Sequence, residues 1–230
     1  MVNILVTGAS RGIGKAIAQE LKNVGKVFVT GRNEEALKEF ENYCVCDLAK
    51  DTKVLENYIK ANEIDILINN AGEYIYGEID TMTKEQIEQI FAVNLLAPTK
   101  LISCAVGYMK AKKWGRIVNI GSISGVMGEA GASLYSSSKA GLVGLTKALA
   151  LELAEYNITV NTINPGWVDT EMGNNSLGDF SKDEILDCIP QRRFVEPKEV
   201  AHLVKYLISE EAKGITGQSV NLCAGLSVGI

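Results

Sequence analysis

Short apolar runs alternate with amphipathic stretches along most of this 230-residue chain. Ile4-Leu5-Val6 comes first, and behind it Ile13, Ile17, Leu21 and Val24 recur at the spacing of one helix face. Val27–Thr30, Tyr43–Cys46, Ile64–Ile68, Gly115–Ile120, Thr159–Asn164 and Ser219–Leu222 read as further strands. Between them the pattern predicts a long helical region over about 83–112, a helix opening at Tyr135, a short one near Asp183–Ile189 and another at about Pro197–Ser209. Strands that alternate with helices in this way build a doubly wound parallel sheet. No linker, repeat or low-complexity stretch interrupts the pattern, so residues 1–230 read as a single Rossmann-like α/β domain. Residues 168–195 are polar, glycine-bearing and weakly periodic, and read as a flap facing substrate.

Composition narrows the classes. The chain is 47% hydrophobic and 22% charged, enough to bury a sizeable core. A net charge of −5 without a basic stripe argues against nucleic acid and anionic membranes as partners. The start, Met1 to Gly8, reads as a first strand and not a leader, and no apolar run is read as approaching the ~20 residues of a membrane span. A cytoplasmic location is the expectation. The five cysteines lack zinc-like spacing and read as reduced residues in apolar sites, with Cys44 and Cys46 expected on opposite faces of a strand. No metal site is expected. The single His202 lies in the late helix, away from every motif, which leaves proton chemistry to other residues.

Candidate chemistry gathers where strands end. Thr7-Gly8-Ala9-Ser10-Arg11-Gly12-Ile13-Gly14 joins the first strand to the first helix, as a glycine turn that lets backbone approach a pyrophosphate does. The second strand ends at Thr30-Gly31-Arg32, without the acid that bonds a ribose 2′-hydroxyl. Arg32 and Arg11 therefore read as partners of a 2′-phosphate, favouring NADP(H) over NAD(H), unless they are simply solvated. Asp47, with Leu48 beside it, is placed either to accept from an adenine amino group or to cap the next helix. Asn69-Asn70-Ala71-Gly72 follows the fourth strand, and Ser122 follows the fifth, both where open sheets bind ligands. Tyr135 and Lys139, four apart, share one helix face, and a cation beside a phenol lowers its pKa toward useful values. Asn94, amid apolar neighbours, reads as a satisfied core amide, the seat of a helix irregularity or the holder of an ordered water.

The ordered set of Thr7–Gly14, Asn69–Gly72, Asn94, Ser122, Tyr135 with Lys139, and Pro165-Gly166 resembles the classical short-chain dehydrogenase/reductase family over essentially the whole chain. Thr7–Gly14, Gly121–Gly128 and Ile215–Asn221 are most similar to its 3-oxoacyl-[acyl-carrier-protein] reductase group. The resemblance implies seven parallel strands in the order 3-2-1-4-5-6-7 and a homotetramer or dimer that packs the helices of Asn94 and Tyr135 across a two-fold axis. It implies that Tyr135 protonates a carbonyl oxygen as hydride arrives, that Lys139 lowers the Tyr135 pKa and bonds the nicotinamide ribose, that Ser122 holds the substrate oxygen, and that Asn94 anchors a water. Asn70, Ala71 and Gly72 would line the cofactor, and Val168 and Thr170, after Pro165 and Gly166, would meet the nicotinamide amide. The implied reaction is NADPH-dependent reduction of a 3-oxoacyl thioester in fatty acid synthesis. Alternatives are a dehydrogenase of a sugar, polyol or small ketone, and a non-catalytic dinucleotide sensor. Lys112, Lys113 and Arg116 would offer an acyl carrier protein a basic patch. Glu155-Tyr156-Asn157, where many relatives carry arginine, and the ending Leu222-Cys223-Ala224-Gly225 weigh against that partner. Arg192 and Arg193 on the flap would grip an anionic substrate or stay solvated.

Overall fold

The computed structural model describes residues 1–176 and 181–228, so positions 177–180 of the flap lie outside the described residues. Seven strands form one parallel sheet: β1 (Asn3–Thr7), β2 (Lys26–Gly31), β3 (Asn42–Val45), β4 (Ile66–Asn69), β5 (Gly115–Ile120), β6 (Ile158–Pro165) and β7 (Ser219–Leu222). Their order is β3-β2-β1-β4-β5-β6-β7, as the family resemblance implies. The helices are α1 (Gly12–Glu20), α2 (Glu34–Leu37), α3 (Lys53–Ala61), α4 (Lys84–Phe91), α5 (Ala97–Lys112), α6 (Ser124–Met127), α7 (Ser133–Leu153), α8 (Glu171–Asn175), α9 (Lys182–Cys188) and α10 (Pro197–Leu207).

Alternate residues of a strand face opposite ways, so the sheet feeds two cores. Ile4, Val6, Val29, Ile68 and Val118 pack on Ile17, Leu21, Val200 and Val204 of α1 and α10. Leu5, Phe28, Leu67, Ile117 and Val160 pack on Leu55, Ile59, Leu101 and Met109 of α3 and α5. Cys44 and Cys46 both enter this second core, which overturns the expectation that they face apart: two residues apart in extended backbone is one face. Burial pushes the Cys46 thiol up to about 11, away from reactivity.

Between α4 and α5 the chain stays helical, and Ala92–Leu96 winds as one π-helical turn around Asn94. The run Lys84–Lys112 is long and apolar enough to cross a membrane by length and composition, contrary to the sequence reading. Here Leu101, Ile102, Ala105 and Met109 of that run lie buried in the core.

The basic patch for a carrier protein is a third correction. Arg116 is fully buried. Its guanidinium donates to the carbonyls of Gly115 (2.9 Å) and Asn157 (3.1 Å) and to Glu210 (3.1 Å), and stacks on Trp114. Lys112 pairs with buried Asp65. Both stand at the amino ends of the strands, whereas the candidate site residues gather at the carboxyl ends.

Candidate active site

The carboxyl ends of the strands open into a cleft of about 970 Å³, and every residue picked as cofactor-binding lines it. The glycine turn is a cradle that side chains would fill. Gly8 has φ +67°, and a Cβ there would stand 2.8 Å from the Ala71 Cα. A Cβ on Gly14 would stand 2.3 Å from the Gly8 carbonyl oxygen. The Asn70 amide ties the turn to the loop after β4 by donating to Thr7 O (2.9 Å) and Gly8 O (3.2 Å), while Thr7 Oγ1 accepts from the backbone of Asn70 and Ala71 (both 3.0 Å). No side chain caps α1, and its first turn holds no acid. Its first N–H groups and the positive end of its dipole therefore face the cleft, an arrangement that fits a pyrophosphate.

The two arginines read as 2′-phosphate partners line the same cleft, each well exposed and each ion-paired. Arg32 pairs with Glu73 at 2.9 Å, and Arg11 pairs with Glu171 at 2.6 Å. Asp47 folds its own turn by accepting from Ala49 N at 3.2 Å. It caps no helix: α3 starts later, where Asp51 accepts from Lys53 N at 2.8 Å. Thr170 sits on the cradle, since a Cβ on Gly12 would stand 3.3 Å from its methyl, and it caps α8 by accepting from Gly173 N at 3.1 Å. Val168 bridges to Val195 across the segment read as a flap. Arg192 and Arg193 are ion-paired, with Asp187 and Glu199 respectively.

At the other end of the cleft α7 presents Tyr135 and Lys139. Lys139 is 3% exposed, donates to Ile120 O at 2.9 Å, and holds its ammonium 5.7 Å from the Tyr135 ring centroid. Burial pushes that ammonium down to about 8. Burial also pushes the Tyr135 phenol up to about 12, with the Ser122 hydroxyl lowering it and Glu129 raising it. The expected lowering of Tyr135 by Lys139 is thus overturned in the protein without ligand. Desolvation penalises both charged forms, and the ammonium faces the ring while bonding a carbonyl.

Asn94 alone of the expected set lies behind the cleft wall. Fully buried, it accepts from Glu73 N (2.8 Å) and donates to Glu73 O (2.9 Å) and Ser138 Oγ (3.0 Å). It is both a satisfied core amide and the centre of the π-helical turn. A Cβ on Gly72 would stand 3.2 Å from Lys139 Nζ and 3.5 Å from Asn94 Oδ1, so a side chain there would press on the ammonium. Among the described residues no three His, Cys, Asp or Glu side chains converge on a metal site.

A family model for short chain dehydrogenase matches residues 2–179. The chain belongs to this family. It is therefore an NAD(P)-dependent oxidoreductase of CH–OH or carbonyl carbon. It is 38% identical to the 3-oxoacyl-[acyl-carrier-protein] reductase FabG of Rickettsia conorii, over 96% of this chain and 95% of that one. It is 39% identical to FabG of Salmonella typhimurium and 38% identical to the uncharacterized oxidoreductase YxjF of Bacillus subtilis, each over 96% of both chains. A tryptophan variant of actinorhodin polyketide ketoreductase, solved with NADPH, superposes with a TM-score of 0.93 at 36% identity, over 99% of this chain and 97% of that one.

Sequence reasoning missed two residues of this dehydrogenase's cleft, Tyr74 and Glu129. Tyr74 stacks edge-on against Tyr135 at 5.0 Å between centroids and donates to Glu129 at 2.7 Å. Ser124 donates to the same carboxylate at 2.6 Å and receives the Ser122 hydroxyl at 3.2 Å. The only signal was a lone acid among Gly128, Ala130 and Gly131, six residues before Tyr135.

Proposed function

We propose that this enzyme reduces a ketone carbonyl to a secondary alcohol with NADPH, and that the substrate is a 3-oxoacyl thioester. The observation that carries the reading is the meeting of Ser122, Tyr135 and Lys139 in one cleft with an uncapped helix end and a glycine cradle. A bound nicotinamide supplies the hydride. Tyr135 donates a proton to the carbonyl oxygen, and Ser122 holds that oxygen. Lys139, cationic below about pH 8, offers its remaining N–H groups to ribose hydroxyls and the Tyr135 oxygen. Asn94 keeps the Glu73 loop and the start of α7 in place. Gly8 to Gly14 and Asn70 to Gly72 surround the pyrophosphate and ribose, Asp47 and Leu48 the adenine, and Pro165 to Thr170 the nicotinamide. NADP is preferred because Arg11 and Arg32 line the cleft and no acid ends β2.

The whole chain acts as one domain, since β7 beyond the family match completes the same sheet. Residues 168–195 form the substrate-facing segment. A cytoplasmic homotetramer or dimer fits the family reading. The names of the FabG relatives support an acyl thioester and an acyl carrier protein alike, but the basic patch expected for that partner is not on offer: Arg116 is buried and Lys112 is paired. One observation favours a second reading, a polyol or sugar alcohol: the Glu129 carboxylate, an acceptor for hydroxyl groups, lines the cleft.

The test is consumption of NADPH, with NADH beside it, by purified protein given an acetoacetyl thioester and then a panel of sugars and ketones. Rapid NADPH-dependent turnover of the thioester is expected, and Tyr135→Phe should lower kcat by about 10²–10⁴-fold while cofactor binding persists. Turnover confined to polyols or sugars would discard the acyl substrate and keep the site. Near-normal turnover by the phenylalanine variant would remove Tyr135 from the proton step.

A further inference from the structure

Glu129, from the loop between α6 and α7, stands in the cleft wall beside the reacting groups. Its carboxylate accepts from Tyr74 OH at 2.7 Å and from Ser124 Oγ at 2.6 Å. Ser124 Oγ is 3.2 Å from Ser122 Oγ, and the Tyr74 ring is edge-on to Tyr135 at 5.0 Å. The carboxylate is thus two hydrogen-bond lengths from the hydroxyl proposed to hold the substrate oxygen. The loop that carries it is fixed: Gly77 N donates to Gly131 O at 2.7 Å, and a Cβ on Gly131 would stand 2.4 Å from the Tyr76 ring. No positive charge answers Glu129 from the substrate side. The cations lining the cleft among the described residues are Arg11, Arg32 and Lys139. The arginines pair with Glu171 and Glu73, Lys139 bonds Ile120 O, and all three belong to the proposed cofactor side. Arg192 and Arg193, read from the sequence as a grip for an anionic substrate, pair with Asp187 and Glu199 and lie outside the lining.

We propose that Glu129 is a specificity-determining residue: its charge admits a ketone whose neighbouring group is neutral and turns away one that carries a carboxylate there. This rests on the proposed reduction of a 3-oxoacyl group at Ser122 and Tyr135. In a 3-oxo compound the carboxyl carbon is two bonds from the reacting carbon, so a free acid brings a negative charge into the same few ångströms of cleft as Glu129. At about 6 Å in a partly screened cleft, repulsion between two such charges corresponds to roughly a 10–100-fold loss. A thioester keeps the carbon skeleton and lacks that charge. Any phosphate on the group that carries it lies many bonds away from the reacting carbon. The cleft therefore selects activated acyl groups over the acids from which they are made.

The test is the ratio of kcat/KM, with NADPH, for methyl acetoacetate over acetoacetate, a neutral and an anionic form of one skeleton. Glu129→Gln removes the charge and keeps the shape. We expect it to lower the ratio by about 10–100-fold, mainly by raising kcat/KM for the anion. Ser124→Ala removes one holder of the carboxylate and keeps the charge, and the ratio should stay near that of the wild type. A merely structural Glu129 would lower both rates alike and leave the ratio where it is. The wild type gives a second reading without any variant: butanamide should inhibit reduction of the ester at lower concentration than butyrate. A ratio unmoved by Glu129→Gln, or moved as far by Ser124→Ala, overturns the proposal, as does butyrate inhibiting as well as butanamide. Failure of the acyl reading looks different, with neither acetoacetate nor its ester reduced while a sugar or small ketone is. The same variants are then compared on hydroxyacetone over pyruvate, where a ratio that falls in Glu129→Gln upholds the selection by charge and an unmoved one overturns it.

Discussion

Both ends of β5 stand over a buried cation, and they treat it in opposite ways. At the amino end the Arg116 guanidinium has two carbonyls, a carboxylate and an indole face around it. At the carboxyl end the Lys139 ammonium, with three hydrogens to give, has the Ile120 carbonyl as its hydrogen-bond partner among the described residues. Burial lowers the pKa of both cations; the first arrangement offsets most of the cost through bonds on both terminal nitrogens, with Nε left unpartnered, whereas the second offsets less and depresses the lysine to about 8. A buried charge with spare donors facing a cleft is a site that expects another partner. A buried charge whose terminal nitrogens are held by carbonyls and a carboxylate, away from any cleft, is architecture. The difference assigns the function of each end without reference to any relative.

The largest way to sharpen this contrast is Lys139→Met. It should lower kcat/KM by at least about 10²-fold, because the contacts proposed for the ammonium, to ribose hydroxyls and to the Tyr135 oxygen, are both lost. It should nevertheless leave the fold at least as stable at neutral pH. The folded pKa lies below the ordinary 10.5, so between about 8 and 10 the folded state has lost a proton that the unfolded state keeps. In that window the contribution of Lys139 to stability rises with pH, and below it the cost of the buried charge is carried in full. The stability advantage of the methionine variant should therefore be greatest below pH 8 and shrink toward pH 10, read from denaturant midpoints of both proteins across that range. An advantage independent of pH would mean that Lys139 is not held as a costly cation.

Arg116→Met probes the other end and should show the reverse signature. It strips hydrogen-bond donors from the carbonyls of Gly115 and Asn157, at a cost of about 2–4 kcal/mol. Glu210 is well exposed and is left in water, so no buried charge is orphaned. For a chain of this size the loss lowers Tm by roughly 5–15 °C. Turnover below the new Tm should match the wild type, because Arg116 lies at the far end of β5 from Ser122. A large loss of kcat in a still-folded variant would break the division between the two ends.

The contrast also shows what the sequence could and could not disclose. Buried parallel strands carry apolar runs, so β5 was bounded to the residue and β1, β2 and β6 to within one residue at each end; the half-exposed edge strand β7 was bounded to the residue as well. The cleft was legible because motifs at strand ends reach it by topology alone. Arg116 was misplaced because a cation in a sequence reads as surface; only the fold shows that the first residues of β5 meet the turn at Asn157 and the short helix at Glu210. The pairing of Arg11 with Glu171, 160 residues apart, and that of Tyr74 with Glu129 lie equally beyond spacing arguments. The electrostatics of Tyr135 and Lys139 were misjudged for a related reason. Proximity was readable and burial was not.

Arg32 offers the smallest and most discriminating test, because it too pairs with a carboxylate yet should behave unlike Arg116. Its side chain is 60% exposed, and the partly buried Glu73, at 15%, keeps a second hydrogen bond from Gln89 (2.6 Å), so the guanidinium can leave Glu73 for a stronger acceptor without orphaning the carboxylate. A 2′-phosphate is such an acceptor, and a charge-assisted contact to it corresponds to roughly a 10–100-fold effect. Arg32→Asp should therefore lower the ratio of kcat/KM for NADPH over NADH by about that factor, with Tm nearly unchanged. Glu73→Gln should move the same ratio slightly upward, by no more than about fivefold, because it releases Arg32 from its present partner. An unmoved ratio in Arg32→Asp would mean that the guanidinium does not read the phosphate and that its bond to Glu73 is structural. The three cations would then divide differently: Arg32 would join Arg116 as architecture, and Lys139 would stand alone as the charge kept for a ligand.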